Sequence, residues 1–337
     1  MNNFWHNIQI PNFSLAPMED VTDTSFREMV LKNMQEGKLN LLFSEFTSVE
    51  GMCHSVGHHK VKHRLRINES EKMLLKQKNV KLIAQIWGKD PDKYYKTAQY
   101  IAKETDFDGI DINMGCPVKN VVKNGCCSAL IEQPDLAKEI ILATSEATKL
   151  PLSVKTRIGY KKVVTEEWIS HLLKMPIDAL TIHGRIQTQM SDGMADWDEI
   201  TKAVQLRNEQ APHIKIIGNG DVESYEEGLQ KIAQYGVDGV MIGRGIFKNP
   251  YFFHPDKVNV SKEEKIAMLK EHTRLFEATW AREKNFAILR RFFKIYTNGF
   301  HEAAALRNAL MTTSNAEEVY EAINGFTETK EEQLVNS

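Results

Sequence analysis

Along the first two thirds of the chain, apolar and polar residues come in blocks rather than alternating one by one. Runs rich in Ile, Val and Leu occur at 13–18, 41–46, 82–87, 109–113, 152–156, 179–183, 214–218 and 239–242, each ending in polar or glycine-rich residues. A short run that is apolar at consecutive positions fits a strand covered on both faces. The stretches between them carry helical patterning: 22–34, 90–104 with Pro91 suited to a first helical turn, 134–148, 166–175, 197–207 and 223–235. This alternation predicts parallel strands joined by crossover helices. Eight such units within about 240 residues match a (β/α)8 barrel, the TIM-barrel form of the α/β class, in count and length. A doubly wound open sheet is the competing architecture. The barrel is favoured because polar residues cluster where nearly every run ends, and a barrel brings those ends to one face.

After Phe253 the pattern changes. Helices are predicted at 261–279, 281–296, 302–311 and 316–323, with no further strand signal. The expected organisation is a barrel over 1–255, an all-helical domain over 256–326 and a disordered tail over 327–337.

No apolar run reaches the length of a membrane span, and residues 1–11 lack the basic-then-apolar pattern of a secretory signal, so a cytoplasmic protein is expected. Cys53, Cys116, Cys126 and Cys127 form no CxxC pair, so no metal is expected. The formal net charge of −2 argues weakly against a nucleic-acid partner. Its distribution says more. Residues 54–81 hold eight Lys/Arg against two Glu, 281–307 hold six against two, and 317–332 hold six Glu against one Lys. Each patch alone fits a solvated helix face; together they offer a basic surface able to meet phosphates.

The ends of the predicted strands carry the candidate chemistry. They deliver Ala16, Pro17 and Met18; Gln85; Asn113 followed by Gly115-Cys116-Pro117; Lys155 and Arg157; His183 and Arg185; Gly218-Asn219-Gly220-Asp221; and Gly243-Arg244-Gly245. Glycine turns after the last two strands of a barrel let backbone N–H groups approach a phosphate, so a phosphate-bearing ligand is expected there. Lys155 suits either a Schiff-base nucleophile or a counter-charge to an anion. His183 suits a base, a donor or a buried structural partner. Cys116, between a glycine and a proline just past a strand, is placed to present its thiol as nucleophile or proton donor. The other three cysteines are read as structural.

At this point the motifs resemble a known family. DINMGCPVKNVVKNGCCSALI (111–131), LAPMEDVTD (15–23), IAQIWG (83–88), VKTRIG (154–159), TIHGR (181–185), GMADWDEI (193–200), IIGNGD (216–221) and MIGRGIFKNP (241–250) resemble, in order, the signatures of tRNA-dihydrouridine synthases. LRRFFKIYTNGFHEAAALR (289–307) is similar to that family's C-terminal helical region. The resemblance implies an FMN enzyme that reduces uridine in tRNA with NADPH; a monomer is expected. Hydride would pass from flavin N5 to C6 of the uracil and a proton from Cys116 to C5. It further implies that Ala16, Pro17 and Met18 line the flavin ring and that Gln85 and Lys155 reach its polar edge. His183, Asn219, Gly220, Asp221, Gly243 and Arg244 would hold the phosphate end, and Asn113 and Arg157 the uracil. The chain departs from the family pattern at Gln187 and Ser191, where an Arg and a Tyr are expected, and at Cys126-Cys127, where a glycine-rich pair is expected.

Overall fold

The computed structural model describes residues 3–281 and 283–335, with side chains through Phe326. Nine strands form: β1 (Asn12–Leu15), β2 (Leu41–Phe43), β3 (Thr47–Ser48), β4 (Lys81–Trp87), β5 (Gly109–Met114), β6 (Leu152–Gly159), β7 (Ala179–Ile186), β8 (Lys215–Asn219) and β9 (Gly239–Ile242). All pair in parallel. Leu41 of β2 is in register with both Ser14 of β1 and Lys81 of β4, which closes a ring of eight strands and excludes the open sheet. The two-residue β3 adds to the far end of β4, with Thr47 opposite Ile86. The strands are buried along nearly their whole length, the property that made them legible as apolar runs.

Several boundaries differ from those expected. β1 stops at Leu15, because Pro17 has no N–H to extend a ladder. The run at 41–46 breaks after Phe43, where the backbone turns to bury Ser44 and Glu45. β6 and β7 continue to Gly159 and Ile186, which keeps Arg157 in register with His183. The crossover between β2 and β4 holds a further helix, Glu69–Lys78, whose charged sequence hid its small buried face of Leu75 and Glu71. Glu71 is fully buried because Arg27 meets it through two guanidinium nitrogens, at 2.6 and 2.9 Å.

The C-terminal helices are Lys262–Trp280, Arg290–Tyr296, Ala303–Leu310 and Ala316–Val335. Ser261 opens the first with a capping box to Glu264. The single helix expected over 281–296 is interrupted. Ala281 takes φ +40°, and Asn285 caps a separate turn, Phe286–Leu289, ahead of Arg290–Tyr296. The last helix enters the stretch 327–337, of which residues 336–337 lie outside the described residues.

These helices share one apolar core with the barrel. Phe26 of barrel helix Thr24–Asn33 packs on Phe292, with ring centroids 4.8 Å apart. A buried charge cluster crosses the same boundary. Lys284 Nζ lies 2.8 Å from Glu45 Oε2 and 3.3 Å from Asp23 Oδ2, with all three side chains at most 5% exposed. Trp280 covers the ammonium, 4.2 Å from ring centroid to nitrogen. Glu45 also accepts the Asp20 N–H, so the cluster anchors the turn that follows β1.

Candidate active site

Strand register brings the predicted residues to one face. Gln85 lies opposite Asp111, Asn113 opposite Lys155, Arg157 opposite His183, and His183 opposite Asn219. Above them opens a cavity of about 560 Å³, lined by Ala16, Pro17, Met18, Lys155, Arg157, His183, Asn219, Gly220, Asp221, Gly243 and Arg244 among others. Eleven of the fourteen candidate residues therefore line one space. Gln85, Asn113 and Cys116 do not line it; Cys116 is adjacent to Pro117, which does.

The three form a polar chain beside and beneath the mouth. Gln85 donates to Asp111 at 2.7 Å, so its carbonyl oxygen faces Asn113 and accepts from it at 2.9 Å. Asn113 is thereby turned so that its own oxygen accepts the Gly115 and Cys116 N–H groups, at 3.0 and 2.9 Å. Each amide orientation follows from the one before it. Ser153 completes the chain by donating to Asp111 at 2.6 Å. Burial pushes the Asp111 carboxyl up to about 6, against the pull of these hydrogen bonds.

The thiol loop is held from other directions too. Arg157 Nε donates to the Gly115 carbonyl at 2.7 Å, and Ser128 Oγ donates to the Cys116 carbonyl at 2.8 Å. Gln187 donates to the Pro117 carbonyl at 3.0 Å. The departure from family pattern at 187 therefore serves the loop that carries the cysteine. Ser191, the other departure there, lines the cavity. The neighbouring Cys127 side chain outweighs burial and, with the Val118 N–H and the nearby Arg157 charge, brings the Cys116 thiol down to about 7.

On the opposite side cations dominate. Lys155 is half-buried at the cavity wall; loss of solvation, with the nearby Arg157, lowers its ammonium to about 8, and its contact is Asn219 Oδ1 at 3.0 Å. His183 is held far below its ordinary range by burial, then by Lys155, Arg157, Arg185 and Arg244. Arg185 Nη1 lies 3.0 Å from His183 Nε2. An arginine only donates, so Nε2 accepts and the single ring proton sits on Nδ1. Arg185 itself is buried and reaches Asp221 at 2.6 Å and the Asp192 and Gly193 carbonyls, pinning the loop after β7 over the mouth. Burial opposes the Asp221 charge, but Arg185 and the Ala195 N–H keep its carboxyl below the usual range. Gly220 lies at φ +127°, and a Cβ there would stand 2.6 Å from that of Ala195. At Gly243 a Cβ would meet nothing within 4 Å, so this turn is open to the cavity. No group of three or more His, Cys, Asp or Glu side chains placed to hold a metal occurs among the described residues.

Comparison with known proteins settles the family. The dihydrouridine synthase family model matches residues 14–333. The chain belongs to this family. It is an oxidoreductase family, and the chain is an enzyme of it. The chain is 41% identical over 326 residues to a probable tRNA-dihydrouridine synthase of Staphylococcus aureus strain COL, covering 96% of this chain and 95% of that protein. It is 42% identical to a probable tRNA-dihydrouridine synthase 2 of Bacillus subtilis strain 168, covering 96% of both. Among solved structures, 6-hydroxypseudooxynicotine amine oxidase from Pseudomonas geniculata N1 superposes with a TM-score of 0.53 at 11% identity, over 76% of this chain and half of that one. That likeness concerns the fold alone.

Arg185 and Cys127 were not among the dihydrouridine synthase site residues expected from the sequence. Arg185 was visible at its strand end, but its link to Asp221 spans 36 residues and has no local signal. Cys127 reads as structural in the sequence, and its left-handed backbone turn, with Ser128 bonded to the Cys116 carbonyl, brings it beside the thiol loop.

Proposed function

We propose that this enzyme reduces uridine in tRNA to 5,6-dihydrouridine, with FMN at the barrel mouth and NADPH as reductant. The observation that carries the reading is the juxtaposition of a cationic, glycine-lined cavity with a thiol locked at its edge. The donor set fits FMN. The open turn at Gly243, the neighbouring Arg244 and the His183 ring at the cavity wall suit a phosphate, while Ala16, Pro17 and Met18 offer an apolar wall for a ring. The chemistry a bound FMN brings here is hydride delivery to C6 of the pyrimidine.

The chain's own residues do the rest. Lys155 places a half-buried positive charge where electron density accumulates during reduction. Arg157 spends Nε and Nη1 on the Gly115 and Ile186 carbonyls, leaving Nη2 without a protein partner among the described residues. That nitrogen is suited to a pyrimidine carbonyl. Cys116 gives its S–H proton to C5, and the resulting thiolate later regains a proton from water. Asn113 acts through the loop, by fixing Cys116.

Two basic segments meet at the rim. Arg64 bonds Glu19 at 2.7 Å, and Arg291 lies 3.2 Å from Asp20, both on the turn after β1. Lys60 and Lys294, from the same two segments, make no ion pair among the described residues and suit RNA phosphates. No helix among the described residues is long and apolar enough to cross a membrane, and a monomer working in the cytoplasm fits a tRNA substrate.

The test is anaerobic. Protein bleached by NADPH is mixed with tRNA lacking dihydrouridine, and flavin absorbance is followed. Reoxidation by tRNA far faster than by buffer or free uridine is expected. Reoxidation by a free pyrimidine alone would replace the RNA reading with a small-molecule one. Cys116→Ala is expected to keep flavin and lose at least about 100-fold in turnover; wild-type turnover would remove Cys116 from the mechanism.

A further inference from the structure

A cation at a strand end of a barrel mouth suggests a ligand contact, and Arg185 lines the cavity with Lys155, Arg157 and Arg244. Its hydrogen bonds give it another task. An arginine carries five N–H donors. Nε donates to the Asp192 carbonyl at 3.2 Å and Nη1 to His183 Nε2 at 3.0 Å. Nη2 donates to the Gly193 carbonyl at 2.6 Å and to the Asp221 carboxylate at 2.6 Å. Four of the five donors are spent inside the protein and the side chain is buried, so Arg185 has no fork left to offer an anion.

The groups it holds are those that shape the proposed phosphate end. Asp192 and Gly193 belong to the loop after β7, whose Met190 and Ser191 line the cavity. Asp221 closes the glycine turn after β8 and also accepts the Ala195 N–H at 2.7 Å, which ties that turn to the same loop. His183 stands between them. Its Nε2–Cδ2 edge faces Arg185 and Gly220, where a Cβ would lie 3.2 Å from His183 Cδ2. With Nε2 accepting, the single ring proton sits on Nδ1, which has no acceptor among the described residues. Lys155 and Arg157 from β6 and Arg244 from the turn after β9 act on the same ring and, with burial, keep it neutral.

We propose that Arg185 is a positioning residue. By donating to His183 Nε2 it fixes the imidazole as a neutral Nδ1–H donor, and by bridging the β7 loop to Asp221 it holds the β8 turn against that ring. The site then receives a phosphate monoester through groups other than Arg185. The ligand half of this statement rests on a phosphate-bearing flavin occupying the cavity; the state of the ring does not.

The test reads His183 directly. Full-length protein carrying isotope-labelled histidine is followed by long-range proton–nitrogen NMR between about pH 5 and 8, with His183 assigned by its absence from His183→Asn. The wild-type ring should remain the neutral Nδ1–H tautomer throughout. Arg185→Lys keeps a charge for Asp221, but one nitrogen cannot span the carboxylate, both carbonyls and the ring. Arg185→Met combined with Asp221→Asn removes both charges together and leaves no carboxylate unpaired. The Nε2–H form should appear in both. A wild-type ring that is Nε2–H or doubly protonated, or an Nδ1–H ring that persists unchanged in either variant, would overturn the proposal. Binding is then compared for FMN and for riboflavin, which lacks the phosphate. Both variants should bind FMN at least about tenfold more weakly and riboflavin as the wild type does. Equal losses for the two flavins would reduce Arg185 to a structural residue. Wild-type protein that binds neither flavin would remove the cofactor reading, and the ring tautomer would still decide what Arg185 does to His183.

Discussion

Two buried ionic sites in this molecule follow opposite rules. At the junction between barrel and C-terminal helices, Lys284 lies between Asp23 and Glu45 in a pocket closed by Trp280. Burial opposes the Asp23 charge, but Lys284 and local hydrogen bonds bring its carboxyl below the usual range, while Glu45 is pushed up by burial. The cation there is satisfied twice over. At the mouth, Lys155, Arg157, Arg185 and Arg244 gather around a neutral His183; of the two carboxylates lining the cavity, Asp221 is shared by Arg185 and, at 3.7 Å, Arg244, and Glu223 pairs with Lys248. A site that only holds the fold neutralises its charges internally. The proposed flavin site instead keeps cations in excess over its carboxylates, at a cost to the ligand-free protein.

The comparison can be broken most directly at the junction. Lys284→Met leaves two carboxylates buried without their cation and should cost about 3–5 kcal/mol in urea unfolding. A loss under about 1 kcal/mol would mean that the cluster is better solvated than its burial indicates. The mouth should respond with the opposite sign. Lys155 has a folded-state value of about 8, below that of an unfolded lysine. Between pH 8 and about 10.4 the unfolded chain therefore binds more protons, and ligand-free protein should gain stability as pH rises, by up to about 1.4 kcal/mol per unit. That gain should be absent in Lys155→Met. Equal slopes in the two proteins would show that the lysine is not desolvated.

Smaller effects sharpen the picture. Asn113→Ala removes the acceptor for two loop N–H groups and should cost about 1–3 kcal/mol in chemical denaturation, with a further loss in turnover as Cys116 is released. A stability change without a turnover change would separate the loop from catalysis. Gly243→Ala should alter the melting temperature least, since its Cβ meets nothing and such changes stay within about 0.5 kcal/mol. It should nevertheless weaken retention of a phosphate-bearing ligand, measured by flavin content after dialysis.

The barrel was legible because each strand is buried on both faces and reads as an unbroken apolar run. The helix Glu69–Lys78 was not, because Arg27 rather than an apolar stripe secures it. The break inside 281–296 is not legible because it depends on a left-handed Ala281 and a cap from Asn285, two local choices that sequence periodicity does not register. In the site, the strand-end rule located the cavity residues, since register alone brings strand ends together. It failed for groups such as Cys127, whose place depends on a backbone turn, and it did not reveal that Gln85 and Asn113 sit in a closed hydrogen-bond chain away from the cavity wall.

The buried lysine also limits how such a molecule can diversify. A descendant that rotated its helices to present another surface would have to withdraw Lys284 from between two acids, then replace both acids together. Each single step on that route passes through a chain with an unpaired buried charge. Among the described residues, substitutions beyond Thr297 disturb no buried ion pair of this kind, so new surfaces should arise most readily at that far end, while the turn beside the barrel mouth is inherited unchanged.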